Sequence, residues 1–432
     1  MTQAAPSSSP ISAPPASPIL ISGAFGWLHP TGRAGDTGVV IVAPLGRDAR
    51  CAHLPLRLLA ERLADAGYPA LRYDHLDSGD SADLPAEIDA TVPWLAGVAA
   101  AVDRLKTETG VTKVVLFGLR VGALLAALGA RVDGLILAAP VVSGASLVRQ
   151  LKLGATMGPA ELSELHGGLQ SEGLVLSAAT LEGLGRLDLR QADVAPGSRT
   201  LVISPASPSE RLLEGLTAKG ADIETLDFPD HAELFEDAHS NLPPMLTWTA
   251  VIDWLRHRFP APCAPAYRDV ASPPLSRLDL GDLIETPVHF GDDLWGVLAL
   301  PTHVPLREAG VVFCNTGGDP RCGIGRFHVQ AARRLARQGV ASLRFDFAGL
   351  GDSPAREGLR SHIYETDRQG DLAAAVARLQ DEGVLSVVLA GVCGGAHHVL
   401  HGSIALPEVE GDGSVQDVMR AAAEDRKSTR LN

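Results

Sequence analysis

A strand–turn–helix unit occurs twice in this chain, 272 residues apart, and this repeat limits the possible folds more than any other feature. In the first copy the segment L-R-Y-D at 71–74 leads to G-D-S at 79–81, and in the second L-R-F-D at 343–346 leads to G-D-S at 351–353. Repeated strand–helix–strand units are typical of parallel sheets with helices on both faces. The sequence therefore predicts an α/β protein with two tandem domains, each built on a mostly parallel, doubly wound sheet.

The segments between these units predict the domain boundaries. An Ala/Pro/Ser-rich, disordered lead-in covers residues 1–17, a first domain 18–260, a Pro-rich linker 261–277 and a second domain 278–424. A length of 432 residues is typical of two or three domains. Leu-rich helical segments interrupt the alternation at about 143–195, and they predict a cap above the carboxyl ends of the first set of strands.

Composition excludes several classes of partner and site. The net charge of −14 and the lack of a basic run argue against nucleic acid or anionic lipid. The sequence has neither an apolar stretch of about 18 residues, which a membrane span needs, nor the regions of a signal peptide. Its five cysteines are scattered, which favours free thiols in a reducing cytoplasm over a disulfide frame or a zinc site. We expect a cytoplasmic protein without metal.

Each copy of the repeat ends in a glycine-flanked turn with the pattern of a nucleophile elbow, G-x-x-x-G. The first turn centres on Arg120 and the second on Cys393. The flanking glycines are Gly118, Gly122, Gly391 and Gly395. At such a turn the central residue adopts a strained backbone, and larger flanking side chains collide with the strand and the helix. Apolar strands precede both turns, so the context supports an elbow in each copy.

Cys393 is the candidate nucleophile. A thiol reacts with carbonyl carbon when a nearby base or a helix N-terminus lowers its pKa. The N–H of Gly394 is placed for an oxyanion hole, and a second donor could come from Gly317 or Gly318, which follow a predicted strand at 310–314. The alternative interpretation is a small buried residue at a tight turn.

Arg120 cannot be a nucleophile because its guanidinium is permanently protonated. It could bind an anionic group, or it could form an internal salt bridge with a neighbour such as Asp74 or Asp77. His239 lies between a late strand and the last helix of the first domain, where a catalytic base is expected. Without a nucleophile beside it, a structural role is the better prediction for His239, so the first site is interpreted as degenerate.

Two weaker patterns remain. His397, His398 and His401 share the helix after the second elbow, but their spacing is only a faint metal signal. Asp80 and Asp352, in the two Gly-Asp-Ser turns, are interpreted as turn residues.

These motifs resemble the α/β-hydrolase fold, over nearly the whole chain and twice. The two halves also look like the pair of hydrolase-like proteins that accompany bacterial exosortase systems, where arginine and cysteine versions of the elbow occur. The resemblance implies hydrolysis of esters, thioesters or amides, or acyl transfer, without a cofactor. Both elbows lack the serine that is usual in the family, so the fold carries over more directly than the activity.

Three functional hypotheses follow. The first is a bacterial acyl hydrolase or acyltransferase that uses Cys393 on a small ester or thioester, with the first domain as an inactive partner domain. The second is a non-catalytic tandem pseudo-hydrolase that binds a ligand or a protein partner. The third is a redox-sensing or acyl-carrying thiol at Cys393. A homodimer is compatible with each of them, and none requires a cofactor.

The last eight residues, 425–432, read D-R-K-S-T-R-L-N and look like a translated sequencing-adapter oligonucleotide, although a basic tail would have a similar composition. Under the first interpretation the second domain is truncated shortly after its elbow. The acid and histidine that usually complete a triad would then lie beyond the cut. On this basis we expect weak or no hydrolysis by the chain as it stands.

Overall fold

Two separate sheets organise the protein, and each belongs to one copy of the repeat. The computed structural model describes residues 13–32, 35–156, 168–171, 173–237, 239–260, 277–356 and 368–405. The first sheet has eight strands and the second has six. Both combine parallel strands with helices, so the predicted α/β class is confirmed. Most of the predicted lead-in, nearly all of the linker, Cys263 and the proposed adapter-derived tail lie outside the described residues.

The sheet of the first domain is parallel except at one edge. Its strand order is β1-β2-β4-β3-β5-β6-β9-β10, and only β1 and β2 run antiparallel to their neighbours. The strands are β1 (Ser17–Ile21), β2 (Ala24–His29), β3 (Thr37–Val42), β4 (Ala70–Tyr73), β5 (Lys113–Leu119), β6 (Gly134–Ala138), β9 (Arg199–Ser204) and β10 (Asp222–Asp227). Every residue of β3 is buried, as expected for a β-branched strand at the centre of a parallel sheet.

Helices cover both faces of this sheet. Side chains of α2 and α3 pack on one face and those of α1 and α8 on the other, which gives two hydrophobic cores. The helices are α1 (Gly46–Asp65), α2 (Thr91–Thr109), α3 (Val121–Gly129), α6 (Glu210–Ala218), α7 (His231–Leu234) and α8 (Met245–Arg258). Because β3, β4 and β5 are parallel neighbours, their carboxyl ends meet at one edge of the sheet, where loops can build a site.

The segment predicted as a cap lies between β6 and β9. It consists of α4 (Gly144–Thr156), the antiparallel hairpin β7 (Leu169–Ser171) and β8 (Leu174–Leu176), and α5 (Ala178–Arg186). Residues 157–167 and 172 of the cap lie outside the described part of the chain. The hairpin is absent from the sequence-based prediction because strands of three residues carry too little alternation to be recognised.

The second domain repeats the same plan. Its strand order is β11-β12-β13-β15-β14-β16, with β14 parallel to both β15 and β16. The strands are β11 (Leu278–Asp279), β12 (Leu283–Phe290), β13 (Leu294–Pro301), β14 (Ala309–Phe313), β15 (Ala341–Phe345) and β16 (Ser386–Ala390). The helices are α9 (Phe327–Arg337), α10 (Gln369–Gln380) and α11 (Gly394–Ala405). Among the described residues, β16 pairs on one side only.

The Gly-Asp-Ser turns have matching hydrogen bonds in the two domains. The Ser81 hydroxyl donates to the carbonyl of Asp74 at 2.7 Å, and the Ser353 hydroxyl donates to that of Asp346 at 2.6 Å. In both turns the glycine has a positive φ, 51° at Gly79 and 44° in the second copy. These bonds support the interpretation of the motif as a turn. The aspartates of the motif have a second role.

The aspartates of these turns also join the two domains through reciprocal ion pairs. Arg72 of the first domain binds Asp352 of the second at 2.6 Å, and Arg344 of the second binds Asp80 of the first at 2.8 Å. Arg72 and Arg344 occupy the same position in the two repeats, and so do the two aspartates. The arginine of each domain therefore binds the aspartate of the other, and the contact between the domains has approximate two-fold symmetry at this point.

Further buried charges surround these pairs. Arg321 reaches Asp80, Asp346 and Asp352 at 2.6–2.7 Å. Burial alone would raise the pKa of Asp80, but Arg321 and Arg344 outweigh it and hold that pKa well below its usual range. Burial is likewise outweighed at Asp352, chiefly by Arg72 and His53, so its pKa is also lowered. Asp80 and Asp352 are thus ionised partners of the arginines at neutral pH.

Candidate active site

Both predicted elbows are strand-to-helix turns with an unusual backbone at the central residue. Arg120 connects β5 to α3 with φ 55° and ψ −121°, and Cys393 connects β16 to α11 with φ 56°. A positive φ is uncommon for any residue except glycine, and it is found at strained functional turns. The two copies therefore hold different side chains in closely similar backbone geometry.

Flanking glycines allow these turns because no side chain fits there. A Cβ on Gly122 would lie 2.2 Å from the carbonyl oxygen of Val42, and one on Gly395 would lie 2.7 Å from that of Asn315. A Cβ on Gly118 or on Gly391 would likewise lie 2.4 Å from a backbone atom. Backbone atoms cannot move aside as a flexible side chain can, so each turn needs glycine at both flanks.

We expect Gly395→Ala to lower the free energy of unfolding by about 1–3 kcal/mol, because the added methyl forces the loop after β14 away from α11. Urea unfolding would measure the change. Gly370→Ala is a matched control, since a Cβ at Gly370 in α10 meets nothing within 4 Å. The control should be slightly stabilising because alanine is the better helix former. Equal effects of the two substitutions would contradict the packing argument.

Cys393 is exposed, and it is the only exposed residue among the four described cysteines. Cys51, Cys314 and Cys322 are buried, and burial raises the pKa of the Cys314 thiol to about 12. Thiols of this kind are poorly reactive, since the thiolate is the nucleophile. Any thiol chemistry in the described part of the chain is therefore expected at the second elbow.

The loop after β14 lies beside the Cys393 turn. The N–H of Cys314 donates to the carbonyl of Ala390 at 2.9 Å, immediately before the elbow, and the carbonyls of residues 314 and 315 lie against Gly395. Farther along this loop, Gly317 has φ 58°. The arrangement brings the backbone of Gly317 and Gly318 to the same edge of the sheet as the N-terminus of α11, which starts at Gly394.

Histidines of the first domain take positions that differ from the sequence-based interpretation. The side chain near the first elbow is His231, in α7, whose pKa is lowered by burial and then by the positive charge of Arg120. Its ring lies 5.1 Å from the rings of both Phe228 and Phe235. His239, predicted for this place, instead contacts the second domain, where its Nδ1 accepts the N–H of Gly318 at 2.8 Å.

The first elbow carries an internal salt bridge, but with a different partner from those predicted. Arg120 Nε donates to Asp48 Oδ2 at 3.1 Å, whereas the sequence suggested Asp74 or Asp77. Asp48 lies in the first turn of α1, which faces the elbow. Asp74 instead accepts the N–H of Asp80, and Asp77 pairs with Arg326 of the second domain. The charge of Arg120 is therefore compensated in this structure.

Two cavities lie near the first site. One of about 80 Å³ lies under the cap, lined by apolar side chains that include Val121, Leu147 and Leu184. The other, of about 270 Å³, lies between the domains and is lined by residues of both, among them Trp27, Arg50 and Arg326. Leu174 of the cap hairpin borders both cavities.

No group of three metal-ligating side chains comes together among the residues that the structure describes. The rings of His397 and His401 are 4.4 Å apart on α11, without such a cluster. Within the described ranges, no helix has the length and apolar character needed to cross a membrane.

Comparison with known families finds one match. The model of the family "Serine aminopeptidase, S33" matches residues 53–180, which is less than a third of the chain. The matched segment lies in the first domain, includes Arg120 and ends in the cap. It does not reach Cys393. A search of curated proteins finds no match.

Comparison with solved structures finds matches of low identity, each with a TM-score below 0.5. Est1E from Butyrivibrio proteoclasticus, bound to ferulic acid, is 18% identical, with a TM-score of 0.43 over 56% of this chain and 99% of that one. The α/β hydrolase GrgF from Penicillium sp. sh18 is 16% identical, with a TM-score of 0.39 over 56% and 98%. The proline iminopeptidase of Mycobacterium smegmatis is 14% identical, with a TM-score of 0.37 over the same shares.

Proposed function

We propose that this protein carries out acyl transfer or acyl hydrolysis, on a small ester or thioester, with Cys393 as the nucleophile. The observation that carries the proposal is the exposed thiol at a positive-φ turn between β16 and α11. The structure buries the other described cysteines, while this one is presented at the sheet edge where substrates of α/β proteins bind.

The chemistry requires few groups. The Cys393 sulfur forms a bond to the carbonyl carbon, and negative charge develops on the carbonyl oxygen. The N–H groups of Gly394 and Gly317 are the proposed donors to that oxygen, since the N–H of Gly318 is bonded to His239. Loss of the alcohol or thiol, which takes up the thiol proton, leaves an acyl thioester that passes to water or to another acceptor.

In this proposal the first domain is a non-catalytic partner. Its elbow holds Arg120, which has no nucleophilic lone pair and is bound to Asp48. The buried ion pairs between the domains fix it against the second domain. The likeness of the two halves to the exosortase-associated pair, and a cytoplasmic location, stay predictions of the sequence.

A second candidate function is favoured by the cavity under the cap. Its largely apolar lining, beside an elbow that lacks a nucleophile, suits the binding of a short acyl group without turnover. Under this alternative the protein is a pseudo-hydrolase that binds a ligand or a partner.

Acylation by p-nitrophenyl acetate tests the proposal. We expect a burst of p-nitrophenol from the wild-type protein, with weak or no turnover after it, and loss of that burst in Cys393→Ala. Cys322→Ala is the matched control, because burial raises the pKa of the Cys322 thiol well above its usual range, and the burst should remain. A burst that survives Cys393→Ala would contradict the proposal, and the absence of any burst would favour the non-catalytic alternative.

A further inference from the structure

We propose that His239, a residue of the first domain, positions the loop that supplies the oxyanion donor to Cys393 in the second domain. This inference rests on the proposed function and adds a composite site to it. One hydrogen bond and one close contact connect the domains at this point. Both involve the loop after β14, residues 314–318.

The hydrogen bond defines the state of the imidazole. Nδ1 of His239 accepts the N–H of Gly318 at 2.8 Å, so the proton of the neutral ring is on Nε2. The ring also lies over Gly317, where a Cβ would be 2.5 Å from its Cε1 and Nδ1 atoms. Glycine at 317 is therefore needed both for its φ of 58° and for the approach of the histidine.

The segment that carries His239 is itself anchored to the first domain. Asp237 Oδ1 accepts the backbone N–H of His239 at 2.9 Å. Asn241 donates from its side chain to the carbonyl of Cys51, and Arg47 donates to the carbonyl of Glu236. These bonds hold the histidine against α1, so its contact with the second domain is fixed by the first.

The same loop of the second domain contacts the elbow at its other end. The carbonyls of Cys314 and Asn315 lie against Gly395, two residues after Cys393. One end of the loop is thus held by the elbow and the other by His239. An oxyanion donor works only when it is held in place before the reaction, and this contact would hold it.

Three charged groups lie near the imidazole. Asp237 Oδ1 is 4.0 Å from Nε2 on the same segment. On the facing loop, buried Asp319 is paired with Arg50 of α1 at 3.1 Å.

Asparagine and alanine at position 239 separate the proposed role from a general structural one. The Oδ1 atom of asparagine can replace Nδ1 as an acceptor. We expect His239→Ala to slow acylation of Cys393 by about tenfold, as for the loss of one hydrogen bond of about 1.4 kcal/mol. His239→Asn should stay close to the wild-type rate at pH 8.

The test measures the rate of Cys393 acylation by p-nitrophenyl acetate at pH 8, and amide exchange of the peptide that contains Gly318. The rate of amide exchange reports on the hydrogen bond from Gly318 to His239, whether or not Cys393 reacts. Faster exchange in His239→Ala, but not in His239→Asn, together with the rate pattern above, supports the inference.

The other outcomes are distinct. If Cys393 is not acylated in the wild type, the proposed function fails, and unchanged exchange in His239→Ala would overturn the positioning as well. If Cys393 is acylated and His239→Ala changes neither readout, the inference alone is overturned. A faster rate in His239→Ala would show that the histidine blocks the site, which also overturns it.

Discussion

Replacement of Asp80 by asparagine is expected to lower the free energy of unfolding by about 3–5 kcal/mol. Asparagine keeps the size of the side chain but removes the charge that faces Arg321 and Arg344. Both guanidinium groups are buried, with side chains 2% and 0% exposed. An arginine cannot release its proton to escape this, so each charge stays in a medium of low polarity with one carboxylate partner fewer. Urea unfolding of the full chain would measure the loss.

Two comparisons make this prediction specific. Asp352→Asn should cost a similar amount, because Asp352 makes the reciprocal contact with Arg72 and also binds Arg321. Asp282→Asn removes a pair with Arg337 in which both side chains are nearly half exposed, and it should cost no more than about 1 kcal/mol. If Asp80→Asn behaved like Asp282→Asn, the buried pairs would not stabilise the junction of the domains.

Stability is expected to fall steeply as the pH drops below about 6.5, the ordinary pKa of histidine. Burial lowers the pKa of both His75 and His328 to about 4. Between pH 6.5 and 4 the unfolded chain therefore binds protons that the folded protein does not. Stability decreases with falling pH wherever the unfolded state binds more protons, by about 3 kcal/mol for each such histidine over this range.

A second decrease should follow at lower pH. The pKa values of Asp80 and Asp352 are lowered in the folded state, so their contribution is present above about pH 4 and is lost as the pH falls further. Unfolding by urea at several pH values would record both phases. His75→Gln should remove the share of His75 from the first phase, leave that of His328, and leave the second phase unchanged. A stability that is constant from pH 7 to pH 4 would contradict the burial of neutral histidines.

The fold could be predicted largely from the sequence because its signals are local. The β-branched run of β3 and the glycines around residues 120 and 393 mark a buried strand and two sharp turns without reference to the rest of the chain. The antiparallel edge formed by β1 and β2 was missed. These strands follow a Pro-rich segment and lack the helical crossovers that make the parallel strands recognisable.

The domain junction was not predictable in the same way. Asp80 and Asp352 stand in turns, where a charged side chain is normally solvated, and their partners are more than 250 residues away in sequence. The repeat did show that Arg72 and Arg344 are equivalent, but equivalence within each domain does not reveal pairing between domains.

The candidate site shows the same limit. A histidine after the last strand of the first domain was expected, and two fit that description, His231 and His239. Only three residues separate His231 from the end of β10, in the segment F-P-D-H, and this proximity could have indicated that it stays near the elbow. His239 is farther along the loop and reaches the other domain, which no local pattern predicts.

The most direct test of acyl chemistry at Cys393 is peptide mapping by mass spectrometry after brief incubation of the native chain with an activated thioester. The account predicts an acyl adduct on the peptide that contains Cys393, and none on the peptides of the buried Cys51, Cys314 and Cys322. Absence of the adduct from Cys393 would contradict the central claim, and so would equal acylation of Cys393 and the three buried thiols.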